Sequence, residues 1–232
     1  MVVLIVFLLA NIFLYGKSLK ERFISNQAKY KNYRLGDILN GHLYEKQKKV
    51  FENYGKKYPN TIAAKYVENV KNDKKKIDNI EVLYKILDIK NKPKNGINVH
   101  LRIGDVIKEF KNGKYKFHVS KNGEYTYGVQ PIVYEKIIKE IKAKTSNRKV
   151  KFFYGSHNYF NHLSKKYINE VKQIFEKNGF TVTESKSFNP DEDFTEMCNS
   201  DLFVQSCGGF SGYISKIVKL NKGDIFYVKD FE

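Results

Sequence analysis

From the turn cluster NKPKNG at residues 91–96 to its end, the chain repeats one pattern: a short apolar run, then a longer amphipathic one. The short runs are INVHLRI, KVKFFYG, FTVTE, DLFVQS and DIFYV. They are rich in β-branched and aromatic residues and read as strands. The segments between them read as helices. QPIVYEKIIKEIKAK has Pro131 near its start. NHLSKKYINEVKQIFEKNG carries Leu163, Tyr167, Ile168, Val171, Ile174 and Phe175 on one face and stops at Gly179. PDEDFTEMCNS starts at Pro190 with acids in its first turn, and GGFSGYISKIVKL opens on glycines. Strands that alternate with helices read as parallel, because each crossover helix carries the chain back to the end of the sheet where the previous strand began. The pattern therefore predicts an α/β fold with a Rossmann-type parallel sheet over residues 96–232. One interval differs. KNGKYKFHVSKNGEYTYG holds two Asn-Gly pairs and predicts a hairpin instead of a helix.

Residues 17–95 are polar and lysine-rich, with helical stripes in LYEKQKKVFENYG, IAAKYVENV and IDNIEVLYKILDI. They predict a small, mainly helical N-terminal lobe. Residues 1–16 are apolar and are followed at once by Lys17, Lys20 and Arg22. The run is short against the roughly 20 residues that span a bilayer, though near the lower limit. The expectation is a single-pass N-terminal membrane anchor, with a signal peptide or a buried first element as alternatives. The basic flank favours the cytoplasmic side for the downstream domain, and the side stays open.

A net charge of +17 raises nucleic acid as a partner. Its make-up argues against one: 38 of the 42 basic residues are lysine, and only Arg22, Arg34, Arg102 and Arg148 carry the fork that reads bases and phosphates. The positive surface still favours anionic ligands. Cys198 and Cys207, without a C-x-x-C, build neither a disulfide framework nor a zinc site.

Parallel sheets bind ligands beyond the carboxyl ends of their strands. Four loops there carry chemistry. In NVHLRIGD, His100 and Arg102 alternate with Val99 and Leu101, so two polar side chains share a face of a strand that should be apolar on both. Arg102 suits a phosphate, Gly104 lets backbone approach, and Asp105 can hold the arginine. The plainer alternative is an Arg102–Asp105 ion pair beside a hydrogen-bonded histidine. In VQSCGGFSGYISKIV, Ser206, Gly208, Gly209 and Ser211 form a small-residue turn into a helix N-terminus, where free N–H groups favour an anion. A tight strand-to-helix turn is the alternative. YGSHNYF places His157 where a base or ribose could be read, although lone histidines more often lie on the surface. In NPDEDFTEMCNSD, the helix dipole accounts for most of the acids, and Asp193 could also accept from a ligand.

Together, HLRIGD and DEDFTEMCNSDLFVQSCGGFSGYISKIV resemble the H-x-R-x-G/D segment and the later Ser/Gly turn of the fucosyltransferase superfamily, which includes the α-1,2-, α-1,6- and protein O-fucosyltransferases. The similarity covers about residues 97–228. It implies a GT-B-like, metal-independent, inverting glycosyltransferase that takes its sugar from a nucleotide diphosphate, typically fucose from GDP-fucose. It implies a glycan or protein hydroxyl as acceptor, and no cofactor beyond the donor, which is a substrate. It places Arg102 on the diphosphate as the catalytic residue, with His100 beside it. Ser206 to Ser211 become the phosphate turn, and Asp193 lies near the nucleotide. Ile103 stands where some members carry a second arginine. Asp105, Glu109 and Asp37 are available as a general base, and nothing in the sequence singles one out. Two other functions remain open: a non-catalytic homologue that binds a nucleotide or glycan, and a basic membrane-attached binder of nucleic acid or lipid.

Overall fold

A computed structural model describes residues 62–70, 80–120, 122–123, 125–155, 162–185 and 190–232. All of them fall in Tyr33–Glu232, one of the two compact units of the chain. The strands are β1 (Ile97–His100), β2 (Ile107–Lys111), β3 (Lys114–Phe117), β4 (Lys149–Phe153), β5 (Thr181–Glu184), β6 (Leu202–Gln205) and β7 (Asp224–Tyr227). The described helices are α1 (Ile62–Val70), α2 (Ile80–Ile86), α3 (Val133–Lys144), α4 (His162–Lys177), α5 (Pro190–Cys198) and α6 (Gly209–Leu220).

Five strands form one parallel sheet in the order β5-β4-β1-β6-β7. The register pairs Ile97 of β1 with Val150 of β4 on one side and with Leu202 of β6 on the other, so β1 is central. Side chains alternate between two cores. Val99, Val150, Phe152, Leu202 and Val204 pack with α3 and α4, through Ile137, Ile141, Tyr167, Val171 and Phe175. Phe153 and Phe203 face the other way, into a cluster with Phe194, Met197, Ile214 and Val218 of α5 and α6. Tyr66, Leu83, Leu87 and Ile89 join this second cluster, so the described part of the region before residue 96 packs on that face too. Phe175 shows what holds the layers. Its buried ring meets Phe152 and Phe180 edge-on at 5.2 and 5.6 Å, and such burial stabilises by roughly 1.5–3 kcal/mol.

The connections explain where a ligand can sit. The chain leaves β1 through α3 to β4 and through α4 to β5, on one face. It then returns through α5 to β6 and through α6 to β7, on the other. Strand order therefore reverses between β1 and β6, and helices diverge from that seam to opposite sides. The carboxyl end of this strand pair is the topological switch point of the sheet.

The expected hairpin is β2–β3, an antiparallel pair closed by Asn112 and Gly113 at φ 52° and 73°. Two positive φ values in a two-residue loop match the twist of the flanking strands. Tyr115 and Phe117 of β3 lie edge-on against Tyr167, at 5.2 and 6.0 Å, and bind the hairpin to α4. Gly179, at φ 84°, ends α4 as its sequence predicts. The helix expected at LYEKQKKVFENYG and the apolar segment 1–16 lie outside the described residues. Among the described residues no helix is long and apolar enough to cross a membrane.

Candidate functional site

His100 ends β1 and Ser206 comes directly after β6. Across the switch point, Ser206 Oγ lies 2.6 Å from His100 Nδ1, a hydrogen bond between two buried side chains. Burial first, and the nearby Arg102 charge second, push the imidazole down from 6.5 to about 3. The ring is therefore neutral at physiological pH, with one N–H and one acceptor nitrogen. Phe210 packs against it, centroids 5.6 Å apart, and Phe194 meets Phe210 edge-on at 5.4 Å.

The β1 loop is held on both sides. Gly104 N–H donates to Ser164 Oγ of α4 at 3.1 Å, and Gly104 adopts φ 82°, which disfavours a side chain. Arg102 reaches Asp105 at 3.1 Å, so the ion pair considered from the sequence is present. Both side chains are partly exposed, at 39% and 69%, which makes the pair a weak tie. Arg102 Nε is buried and has no partner. A buried donor left unpaired costs free energy, and an anion lying in the fork would satisfy it.

The β6 loop is held from within. Ser206 N–H donates to Ser211 Oγ at 3.0 Å, while Ser215 Oγ donates to Gln205 Oε1 at 2.5 Å and to the Ser211 carbonyl at 3.1 Å. The N-cap of α6 is Gly208, at φ 100° and ψ 160°, with no side-chain cap. Gly208 and Gly209 are exposed. The first turn of α6 thus starts at exposed backbone with no side-chain cap, as an anion site requires. Cys207, between Ser206 and Gly208, is buried. Its thiol is raised by desolvation and lies near Lys229, Tyr227 and Arg102.

Asp193 stands at the same edge of the sheet, beyond β5, where it accepts a hydrogen bond from Ser185 Oγ at 2.6 Å. Burial pushes it up to about 6, against that bond and with Glu196 repelling. Its neighbour Asp191 takes a different role. It is buried, accepts from the Ile62 backbone at the start of α1, and is pushed up by desolvation to about 6. The sequence shows three successive acids at a helix N-terminus; the fold buries Asp191, half-buries Asp193 and leaves Glu192 exposed.

The structure therefore brings His100, Arg102, Gly104, Asp105, Ser206, Gly208, Gly209 and Ser211 to one seam, with Asp193 further along the same edge. His157 lies outside the described residues. Sequence reasoning missed Ser164, Ser215 and Phe210. Ser164 sits on the buried stripe of α4, where an apolar pattern conceals it. Among the described residues no three His, Cys, Asp or Glu side chains gather as a metal site needs.

No protein-family model matches the chain, and no curated protein matches it. Solved structures do. POFUT1 in complex with GDP matches at 15% identity and a TM-score of 0.36, over 64% of this chain and 45% of that one. A high-resolution dataset of the same complex gives a TM-score of 0.37, over 64% and 47%. POFUT1 in complex with GDP-fucose matches at 15% identity and a TM-score of 0.36, over 64% and 45%. The chain spans under half the length of these structures. A likeness this loose assigns no role to any residue here.

Proposed function

We propose that this chain is a glycosyltransferase with a GT-B-like architecture, drawing its sugar from a nucleoside diphosphate donor seated at the β1/β6 switch point. The observation that carries the reading is the buried His100–Ser206 hydrogen bond, which joins the arginine loop to the uncapped N-terminus of α6. GDP-fucose is the donor named by the sequence resemblance, with a glycan or protein hydroxyl as acceptor and inversion at the transferred carbon. The segment 1–16 serves in this proposal as a membrane tether.

The chemistry is dictated by charge. As the acceptor hydroxyl oxygen attacks the anomeric carbon and gives up its proton to solvent, the bond to the diphosphate breaks and negative charge grows on the leaving oxygens. In this reading the Arg102 guanidinium and the first N–H groups of α6 stabilise that charge, and fixed, partly buried donors do so more effectively than water. Asp105, 3.1 Å from Arg102, biases the orientation of the guanidinium as a positioning residue. Charge neutralisation by these groups is the basis for proposing a reaction without a metal ion.

The test is thermal unfolding of the full chain with GDP, UDP, CMP or GDP-fucose, each without metal, for wild type and Arg102→Ala. A ligand at 100 times its dissociation constant stabilises by about 2.7 kcal/mol. For a chain of this size that raises Tm by roughly 5–10 °C. The expected result is a GDP-selective shift that Arg102→Ala abolishes. No shift with any nucleotide, in protein that unfolds cooperatively, sinks the proposal.

A further inference from the structure

Beyond β3 the chain continues into a second antiparallel turn whose side chains the proposed donor chemistry does not use. His118 N–H donates to the Val106 carbonyl at 2.7 Å, and Tyr127 N–H donates to the His118 carbonyl at 2.8 Å. These two rungs set His118 and Tyr127 beside the Arg102–Asp105 loop. Val119 bridges Thr126, and Ser120 closes on Tyr125, with Ser120 Oγ accepting from Tyr125 N–H at 3.2 Å. Because strand side chains alternate, Tyr125 and Tyr127 point to one side and His118 lies opposite Tyr127. The rings form one contiguous cluster. His118 and Tyr127 stack with centroids 5.7 Å apart, and Tyr125 meets Tyr127 at 4.9 Å. His118 is exposed, Tyr125 is 45% exposed, and Tyr127 is half-buried.

The surface is anchored to the segment that follows β7. Lys229, from the turn after β7, donates to Thr126 Oγ1 at 2.6 Å and to the Gly128 carbonyl at 3.2 Å, with Glu232 2.6 Å away. Tyr227, at the end of β7, hydrogen-bonds Cys207 in the β6 loop. The aromatic turn is therefore tied to the arginine loop through the Val106 carbonyl and to the segment after β7 through Lys229. Cross-strand aromatic pairs also stabilise hairpins, which accounts for the His118–Tyr127 pair. It does not account for the outward Tyr125, nor for two tethers that fix an exposed turn at the rim of the crevice.

We infer that Tyr125, Tyr127 and His118 form a platform that binds a sugar ring of the acceptor glycan. The chemistry fits a neutral sugar. One face of a pyranose carries C–H bonds polarised by the ring oxygens, and these pack on the electron-rich face of an aromatic ring. Phenol and imidazole edges then meet the hydroxyls. The position fits as well, because the attacking hydroxyl must come within bonding distance of a sugar whose diphosphate rests near Arg102. The inference rests on the glycosyltransferase reading for the word acceptor. Sugar binding by the platform stands independently of it.

The experiment is saturation-transfer NMR on the full chain with three neutral probes: N,N′-diacetylchitobiose, N-acetyllactosamine and cellobiose. Thermal shift with GDP is measured in parallel. At least one probe is expected to receive saturation on its ring protons. Combining Tyr125→Ala with Tyr127→Ala should weaken its binding roughly tenfold or more. Tyr127→Phe keeps the ring and retains binding. Arg102→Ala retains sugar binding and loses the GDP shift, while the double alanine variant does the reverse. If no probe binds wild type, or the double variant binds as wild type does, the platform is refuted. A missing GDP shift with sugar binding intact sinks the donor reading alone.

Discussion

The buried histidine makes a prediction with a definite sign. In the unfolded chain His100 titrates near 6.5; in the fold it is held at about 3. Between those values the unfolded chain binds a proton that the fold rejects. The stabilising contribution is complete above pH 6.5 and is lost as pH falls toward 3. By pH 5 the loss amounts to about 2 kcal/mol, since each pH unit below 6.5 is worth ~1.4 kcal/mol. Asp191 and Asp193 act the other way. Both are raised from 3.8 to about 6, so they take up protons in the fold first and stabilise it as pH falls through 6 toward 3.8. At pH 5 each adds roughly 1.4 kcal/mol relative to pH 8. The wild-type profile between pH 8 and 5 therefore rises by only about 0.8 kcal/mol and masks the histidine. Comparison with His100→Gln exposes it, because glutamine keeps a polar partner for Ser206 and does not titrate. Urea unfolding can be followed by tyrosine emission, given 17 tyrosines and no tryptophan. The other four histidines are common to both proteins and cancel. The stability advantage of wild type over His100→Gln should shrink by about 2 kcal/mol from pH 8 to pH 5. A gap that stays constant to within ~0.5 kcal/mol means His100 titrates like a solvated residue, and the link across the switch point is then not a buried contact.

Two glycines give predictions with different physical causes. Gly208 sits at φ 100° with open space where a Cβ would project, so Gly208→Ala should cost about 1–3 kcal/mol through backbone strain alone, read as a lower urea midpoint, and should weaken the GDP shift. At Gly128 a Cβ would meet the Phe117 ring head-on, so Gly128→Ala must displace that ring. Its cost, about 1–3 kcal/mol of overpacking, should come with loss of sugar binding and an unchanged GDP response, since the arginine loop and the α6 turn are not touched.

The sheet was legible because its signals are local. Each strand is a short apolar run with punctuation at both ends, and α4 shows a full stripe closed by Gly179. The Asn-Gly pair at 112–113 fixes its turn by the two positive φ values it requires. The loops at Arg102 and Ser206 were legible for another reason: polar and small residues interrupt runs that should be apolar. Contacts between distant positions were not legible. Nothing near Asp191 in sequence marks it as the carboxylate that receives the Ile62 N–H, because that pairing depends on how α1 docks beside α5. Ser164 was lost in an apolar stripe for the same reason, its partner being Gly104 on another element. The aromatic turn fell between the two cases. Its hairpin pattern is plain in the sequence, and its anchoring depends on Lys229, which arrives from the far end of the chain.

The polar residues of β1 are explained by the same topology. A strand covered on both faces has no use for Asn98 and His100 unless each finds a partner. Both point to the α5/α6 face, and both find a serine flanking β6. Asn98 Nδ2 donates to Ser200 Oγ at 2.9 Å just before that strand, and His100 meets Ser206 at 2.6 Å just after it. Between the two serines β6 is apolar and buried at Leu202, Phe203 and Val204. The seam where the helices diverge is thus closed by one polar rung at each end. The rung at the amino end is sealed and structural. The one at the carboxyl end lies beside Arg102 and the α6 turn, so the contact that stitches β1 to β6 is also the one on which the proposed donor site is built.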